Sequence, residues 1–301
     1  MNTQPLVSIL INNYNYGHFL KVAIDSALNQ TYSNIEVIVV DDGSTDNSQE
    51  IIAHYQDKII PVLKSNGGQT SAFNAGFANS RGDIICFLDA DDIFTPEKAM
   101  EVSRTFQSDP ELGWCFHPLK LVNEHEQIIT QKEYQNSSKY DCRIQIRKGK
   151  LGNPFPFKIP ATSGMCFTRE LLQQLLPMPE TDGITLNDSY LKFCALALSP
   201  GFALSKELAC QRIHSNNAFT FKKDKKLIAR INIVMAYWMR TVFPITKNFS
   251  DNAFALGIKL YNDVGSIEPD LQAIIKKYLA SSSLFQRFKI QLKTLYYSMR
   301  P

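Results

Sequence analysis

In the stretch Ile84-Ile85-Cys86-Phe87-Leu88-Asp89-Ala90-Asp91-Asp92, five apolar residues run into three carboxylates packed within four positions. The apolar run has the length and composition of a strand buried on both faces of an α/β sheet, so the acids emerge at its C-terminal edge. That edge is where such sheets bind ligands. Clustered carboxylates raise one another's pKa unless a cation sits among them. An all-oxygen donor set suits Mg2+ or Mn2+, and a divalent ion there can hold a phosphate. The competing reading is a solvated turn in which Asp92 or Thr95 caps the helix that Pro96 opens.

Upstream, the same grammar repeats. Residues 6–11 read as a central strand followed by the polar, aromatic loop Asn12-Asn13-Tyr14-Asn15-Tyr16-Gly17, and Phe19, Leu20, Ala23, Ile24, Ala27 and Leu28 then recur at helical spacing. Residues 35–40 form a second apolar strand ending in Asp41-Asp42-Gly43-Ser44-Thr45-Asp46. A third strand over 59–63 leads through Asn66-Gly67-Gly68-Gln69 into a helix carrying Ala72, Phe73, Ala75 and Phe77, and Ser80-Arg81-Gly82-Asp83 returns the chain to the acid-ended strand. Strands alternating with helices on short connections predict an α/β fold: a mainly parallel sheet, helices on both faces, right-handed crossovers. The first strand lacks G-x-G-x-x-G and no P-loop follows, which argues against dinucleotide and P-loop nucleotide sites. An aspartyl phosphatase would need hydroxyl and lysine partners that the pattern does not supply.

At 301 residues, 44% hydrophobic and 20% charged, the chain can bury one large core or a core with an appendage. The net charge of +3 hides an asymmetry: residues 222–301 carry fourteen Lys/Arg against five Asp/Glu. The six cysteines are scattered without C-x-x-C or paired-histidine spacing, as expected of inert thiols in a reducing compartment. With no signal-peptide pattern and no apolar run of the ~18 residues needed to span a bilayer, the expectation is a cytoplasmic protein, peripheral at most at the inner face of a membrane.

The set Val7-Ser8-Ile9-Leu10-Ile11-Asn12-Asn13-Tyr14-Asn15, Val39-Val40-Asp41-Asp42-Gly43-Ser44-Thr45-Asp46, Asn66-Gly67-Gly68, Asn74-Ala75-Gly76, Arg81-Gly82-Asp83 and Leu88-Asp89-Ala90-Asp91-Asp92 resembles, in order and spacing, the family 2 inverting glycosyltransferases. That resemblance implies a GT-A-like fold, with a nucleotide-sugar half over 1–110 and an acceptor half over 111–221, followed by a basic helical region over 222–301. It further implies donor-nucleotide contacts from Asn12, Tyr14, Asp42, Gly68 and Asp89, a metal (Mn2+ or Mg2+) on Asp91 with His214, and Asp188 as catalytic base. The chemistry is compatible: Tyr14 can stack on a base, and Asp42 can accept the imide N–H of uracil or thymine. UDP or dTDP donors are therefore expected ahead of GDP. Bland roles compete at each position. Tyr14 can pack under its loop, Asp41 or Asp42 can cap the next helix, and Asp46 suits capping better than binding. Phe73 stands where many relatives carry Arg.

Farther along, residues 113–122 read as one strand and residues 139–150 as exposed polar sequence. Ala161-Thr162-Ser163-Gly164 opens a strand edge and a helix that Pro177 stops, while Asp188 opens an apolar helix running to Leu198. Asn187 replaces the glutamate that commonly precedes the family's base; local sequence alone favours a helix cap for Asp188, and the family resemblance reverses that reading. Gln211-Arg212-Ile213-His214-Ser215-Asn216-Asn217 resembles the R-I-H-x-x-N segment closing many such domains, although a lone histidine after a strand can be structural.

In the tail, Leu227, Ile231, Val234 and Trp238 share a helical face, a second patterned segment spans 254–261, and a last one over 284–297 mixes large apolar residues with Arg287, Lys289 and Lys293. These helices pack as an appendage or meet an anionic membrane surface presenting a lipid-linked or other glycan acceptor. No nucleic-acid motif accompanies the charge. The expected function is transfer of a sugar, with inversion, from a nucleotide-diphosphate sugar to an acceptor hydroxyl in cell-surface polysaccharide or glycoconjugate synthesis. The alternative is a non-catalytic nucleotide-sugar or glycan-binding protein on the same fold.

Overall fold

The computed structural model describes residues 4–130, 136–149, 155, 157–180, 186, 188–215, 217, 224–265 and 268–299. Asn187 lies outside the described residues, as do Lys222 and Lys223. In chain order the elements are β1 (Val7–Asn13), α1 (Gly17–Leu28), β2 (Ile35–Asp41), α2 (Ser48–Ala53), β3 (Ile60–Leu63), α3 (Gly68–Ala78), β4 (Ile84–Asp89), β5 (Ile93–Phe94), α4 (Lys98–Ser108), β6 (Trp114–Phe116), β7 (Leu119–Val122), β8 (Ile128–Thr130) and β9 (Ser138–Tyr140). There follow α5 (Arg143–Arg147), β10 (Met165–Thr168), α6 (Arg169–Leu175), α7 (Asp188–Leu198), β11 (Gly201–Ala203), β12 (Ala209–Arg212), α8 (Lys225–Val242), α9 (Lys247–Val264), α10 (Pro269–Ala280) and α11 (Leu284–Ser298).

Two compact units divide the chain. One comprises 1–141, 157–178 and 199–217, and the other 142–156, 179–198 and 218–301. The first unit holds an eight-stranded sheet of order β3-β2-β1-β4-β10-β6-β11-β9 and a four-stranded sheet of order β5-β12-β7-β8. Strands β1 to β4 are mutually parallel, and β10 reverses direction against both β4 and β6. Strand pleating sends alternate residues to opposite faces. Val7, Ile9 and Ile11 join Leu20, Ala23, Ile24 and Ala27 of α1 in one cluster, whereas Leu10 turns toward Gly76 of α3 on the other face. Both faces of the sheet are covered, as the α/β pattern requires.

The two sheets exchange chain at defined points. Residues 90–92 carry the chain from β4 in the large sheet to β5 in the small one, and His117-Pro118 carry it from β6 to β7. The single strand expected over 113–122 is therefore two strands in different sheets. Pro118 has no N–H for a ladder and breaks the run, while the apolar residues on either side mask the break in a hydropathy pattern. Lys139 and Tyr140, at the start of the stretch read as exposed polar sequence, belong with Ser138 to an edge strand antiparallel to β11, where Ser138 and Lys139 are exposed.

The motif Arg81-Gly82-Asp83 lies at the opposite end of the sheet from the acids. Buried Glu36 accepts from Ser8 Oγ at 2.6 Å, from Gly82 N at 3.1 Å and from the Arg81 backbone N–H at 2.5 Å, and Asp83 Oδ2 accepts from Leu6 N at 3.0 Å. This knot aligns the starts of β1, β2 and β4.

In the second unit, α8 buries Ala229, Ile233, Val234, Met235, Ala236 and Met239. The expected face of Leu227, Ile231, Val234 and Trp238 buries only Val234 fully. The small residues decide the contact: a Cβ on Gly257 of α9 would approach Ile233 Cγ1 to 2.6 Å and Ala229 O to 3.0 Å, so the two helices meet through alanine and glycine. Asp251 of α9, buried, accepts from Arg240 Nη1 and Tyr278 Oη, each at 2.8 Å.

Candidate functional site

Because the chain changes sheets at residues 90–92, the three acids lie where the two sheets are joined. Asp89, Asp91 and Asp92 each present a carboxylate oxygen, all within 4.8 Å of one another. The three differ in surroundings. Asp92 is buried, with Oδ2 accepting from Ser163 Oγ at 2.6 Å and Oδ1 from Arg212 N at 2.9 Å. Burial and the charge of Asp91 push its carboxyl well above the usual range, against the lowering effect of those donors. It caps no helix: α4 begins at Lys98 with Glu97 before it and no side-chain cap.

Asp91 faces the returning end of β12. Its Oδ2 accepts from Asn217 Nδ2 at 3.1 Å and lies 2.9 Å from His214 Nε2, while Arg212 Nε donates to its backbone carbonyl at 3.0 Å. Tyr16 and Phe19 border the histidine, with ring centroids at 5.6 and 4.8 Å. Burial, then the charges of Asp91, Asp89 and Asp92, push the Tyr16 phenol up to about 12. Behind the cluster, Ser163 Oγ accepts from Asp89 N at 3.0 Å, and the Ser163 carbonyl accepts from the buried Lys98 ammonium at 2.7 Å. The segment Thr162-Ser163-Gly164 thus braces the acids from β10.

A clustered oxygen-only donor set fits Mg2+ or Mn2+. Among the described residues no hydrogen bond reaches Asp91 Oδ1, whereas both Asp92 oxygens are engaged. The residues present therefore fit an ion held by Asp91 together with Asp89, with Asp92 as a buttress.

The loops after β1 and β2 form the neighbouring wall. Asn12 pairs with Asp89 across the β1–β4 ladder, and its side-chain amide is buried, with neither Nδ2 nor Oδ1 hydrogen-bonded among the described residues. Tyr14 is 47% exposed. Asp41 is structural, accepting from Asn13 Nδ2, from Ser44 N and Oγ, and from Gln49 Nε2. Asp46 accepts from Gly17 N and Ser48 N, at the starts of α1 and α2. Asp42 gathers Lys64 Nζ at 2.6 Å, Gly67 N at 3.0 Å and Gly68 N at 2.7 Å. Gly68, with φ of +79°, turns its amide onto Asp42 in a conformation that other residues rarely adopt. Phe73 is fully buried, edge-on to Phe87 at 4.8 Å, and so contributes to the core.

Asp188, at the first position of α7, belongs to the other unit, where its Oδ2 accepts from Lys192 Nζ at 2.7 Å. Sequence reasoning assigned no role to Ser163, Lys64 or Tyr16, and read Asn217 only as part of a motif. Their partners lie 22 to 126 residues away, beyond any local periodicity.

A family model described as Glycosyl transferase family 2 matches residues 8–174, more than half of the chain. An uncharacterized glycosyltransferase of Nostoc sp. is 37% identical over 215 residues, covering 70% of this chain and 66% of that relative. One from Rickettsia prowazekii is 50% identical over 145 residues, covering 47% and 45%. The chain thus spans about two thirds of the first relative and under half of the second. Among solved structures, S. aureus TarS 1–349 in complex with UDP-GlcNAc superposes with a TM-score of 0.62 at 15% identity, over 89% of this chain and 78% of that one. At that identity the likeness is one of fold.

Proposed function

The chain belongs to glycosyl transferase family 2, and from that premise we propose that it moves a sugar from a nucleotide-diphosphate sugar to an acceptor hydroxyl, with inversion at the anomeric carbon. The observation that carries this reading is the junction of the two sheets. There, clustered carboxylates suited to a divalent ion adjoin a buried amide on Asn12 that finds no hydrogen-bond partner among the described residues. An unsatisfied buried amide costs stability, and a ligand's polar groups would relieve that cost.

In the proposed assignment Asp91 and Asp89 hold Mn2+ or Mg2+, with His214 beside Asp91. The ion, when bound, supplies positive charge against the diphosphate. Tyr14 stacks on the base, Asp42 accepts the imide N–H of uracil or thymine, and Gly68 contributes by orienting Asp42. UDP or dTDP is therefore favoured over GDP; TarS was captured with UDP-GlcNAc. The acceptor oxygen bonds to the anomeric carbon as the bond to the diphosphate oxygen breaks. The electron pair leaves on the diphosphate, and the hydroxyl proton passes to Asp188. Free cysteines throughout suit a cytoplasmic, reducing compartment, and a glycan or lipid-linked acceptor at the inner face of a membrane fits cell-surface polysaccharide or glycoconjugate synthesis.

Calorimetric titration of UDP, dTDP and GDP, with and without Mn2+, tests the donor reading. We expect Mn2+-dependent binding of a pyrimidine diphosphate that Asp91→Asn abolishes without changing the thermal unfolding of the ligand-free protein. Binding of the same strength in folded Asp91→Asn, with the same Mn2+ dependence, would overturn the assignment.

A further inference from the structure

Helix α11 turns two apolar faces in opposite directions. Toward α9 it buries Ile290, and Thr294 Oγ1 donates to the Ala255 carbonyl. On its other side Leu284, Phe285, Phe288, Leu292, Leu295 and Tyr296 are 48–81% exposed. At 100° per residue these six fall within an arc of about 120°, centred opposite Ile290. Isolated exposed apolar residues need no explanation, but six on one face form the kind of contiguous patch that marks a contact surface. Exposed Lys289 and half-buried Lys293 continue the arc along one edge, with Lys289 Nζ 4.4 Å from the Phe285 ring centroid. Residues 284–298 include no aspartate or glutamate.

The charge pattern selects the occupant. A second α11 laid on the first would bring the exposed Lys289 toward its own copy with no acid on either helix to offset it. An anionic lipid surface offers acyl chains to the arc and phosphates to its basic edge, the arrangement of helices lying in the plane of a membrane interface. Among the described residues no helix is long and apolar enough to cross a membrane. The apolar face of α8, the other tail helix with this pattern, is largely taken up in helix packing. We propose that the outward face of α11 docks on an anionic bilayer, its apolar arc at the acyl boundary and the exposed Lys289 among the headgroups.

The test is co-sedimentation of the full chain with vesicles of phosphatidylcholine alone and of phosphatidylcholine doped with phosphatidylglycerol. The expected result is partition onto the anionic vesicles, weaker partition onto the neutral ones, and weakening as salt is raised. The variant Phe285→Gln/Phe288→Gln/Leu292→Gln changes only exposed positions. It should keep the parent's circular dichroism and melting temperature while losing about tenfold or more in partition. Lys289→Glu should lower partition onto anionic vesicles selectively. The proposal is overturned if the parent stays in the supernatant with both vesicle types, or if the triple variant partitions like the parent. It is equally overturned if sedimentation velocity shows a parental dimer that the triple variant dissolves, which would make the face a contact between copies.

Discussion

Asp42 receives donors from a side chain and two successive backbone amides, so its carboxylate both shapes the turn into α3 and remains an acceptor. If it also reads the base, Asp42→Ala should weaken binding of UDP or dTDP by about 1–3 kcal/mol, the cost of a buried charged hydrogen bond. The same change strands the Gly67 and Gly68 amides, so the melting temperature should fall as well. Calorimetry across bases separates the roles: an equal loss for purine and pyrimidine diphosphates would confine Asp42 to holding the loop. The residue type was legible in Asp41-Asp42-Gly43-Ser44. Which of the two acids faces inward to structure and which gathers the glycine amides was not, because Lys64 and Gly68 reach Asp42 only through the pairing of β2 with β3.

At the scale of elements, Glu36 ties the starts of three strands. Burial alone would raise its pKa, but hydrogen bonds from Ser8 and Arg81, together with the Arg81 charge, outweigh burial and hold the carboxyl below its usual range. A carboxylate whose folded pKa is depressed stabilises above its unfolded value and loses that contribution as pH falls through the folded one. Glu36→Gln should therefore cost about 1–3 kcal/mol near neutrality. Its deficit against the parent should shrink as pH drops below about 4.3, the ordinary glutamate value, which denaturant melts across pH will show. Periodicity identified β1, β2 and β4 and placed acids at the ends of β2 and β4 because those strands are long and flanked by turn residues. It merged β6 with β7 and missed β9, since strands of three or four residues owe their existence to neighbours rather than to their own pattern. Likewise α8 was expected to bury its largest residues, whereas close approach to Gly257 favoured its smallest.

For the molecule as a whole, the acid cluster belongs to one unit and Asp188 to the other, so the proposed donor-binding and proton-accepting roles should be separable by substitution. Asp188→Asn, nearly isosteric but unable to take a proton, should bind UDP and Mn2+ like the parent and lose roughly 10²–10⁴-fold in transfer rate. Transfer at the parental rate would place the base elsewhere. The motifs of the first hundred residues announced the family, but the clasp on Asp91 comes from a segment more than 120 residues later in the chain. Strand β12, which pairs with β5 and β7, also arrives only after the chain has built α7 of the other unit and returned. On a ribosome, where a chain folds as it emerges, this imposes a timetable. The acids are synthesised early and wait, with β5 and β7 unpaired by β12 and Asp91 unclasped, until residues 209–217 appear. The nascent chain thus cannot complete the surroundings of its acid cluster until His214 and Asn217 have been translated.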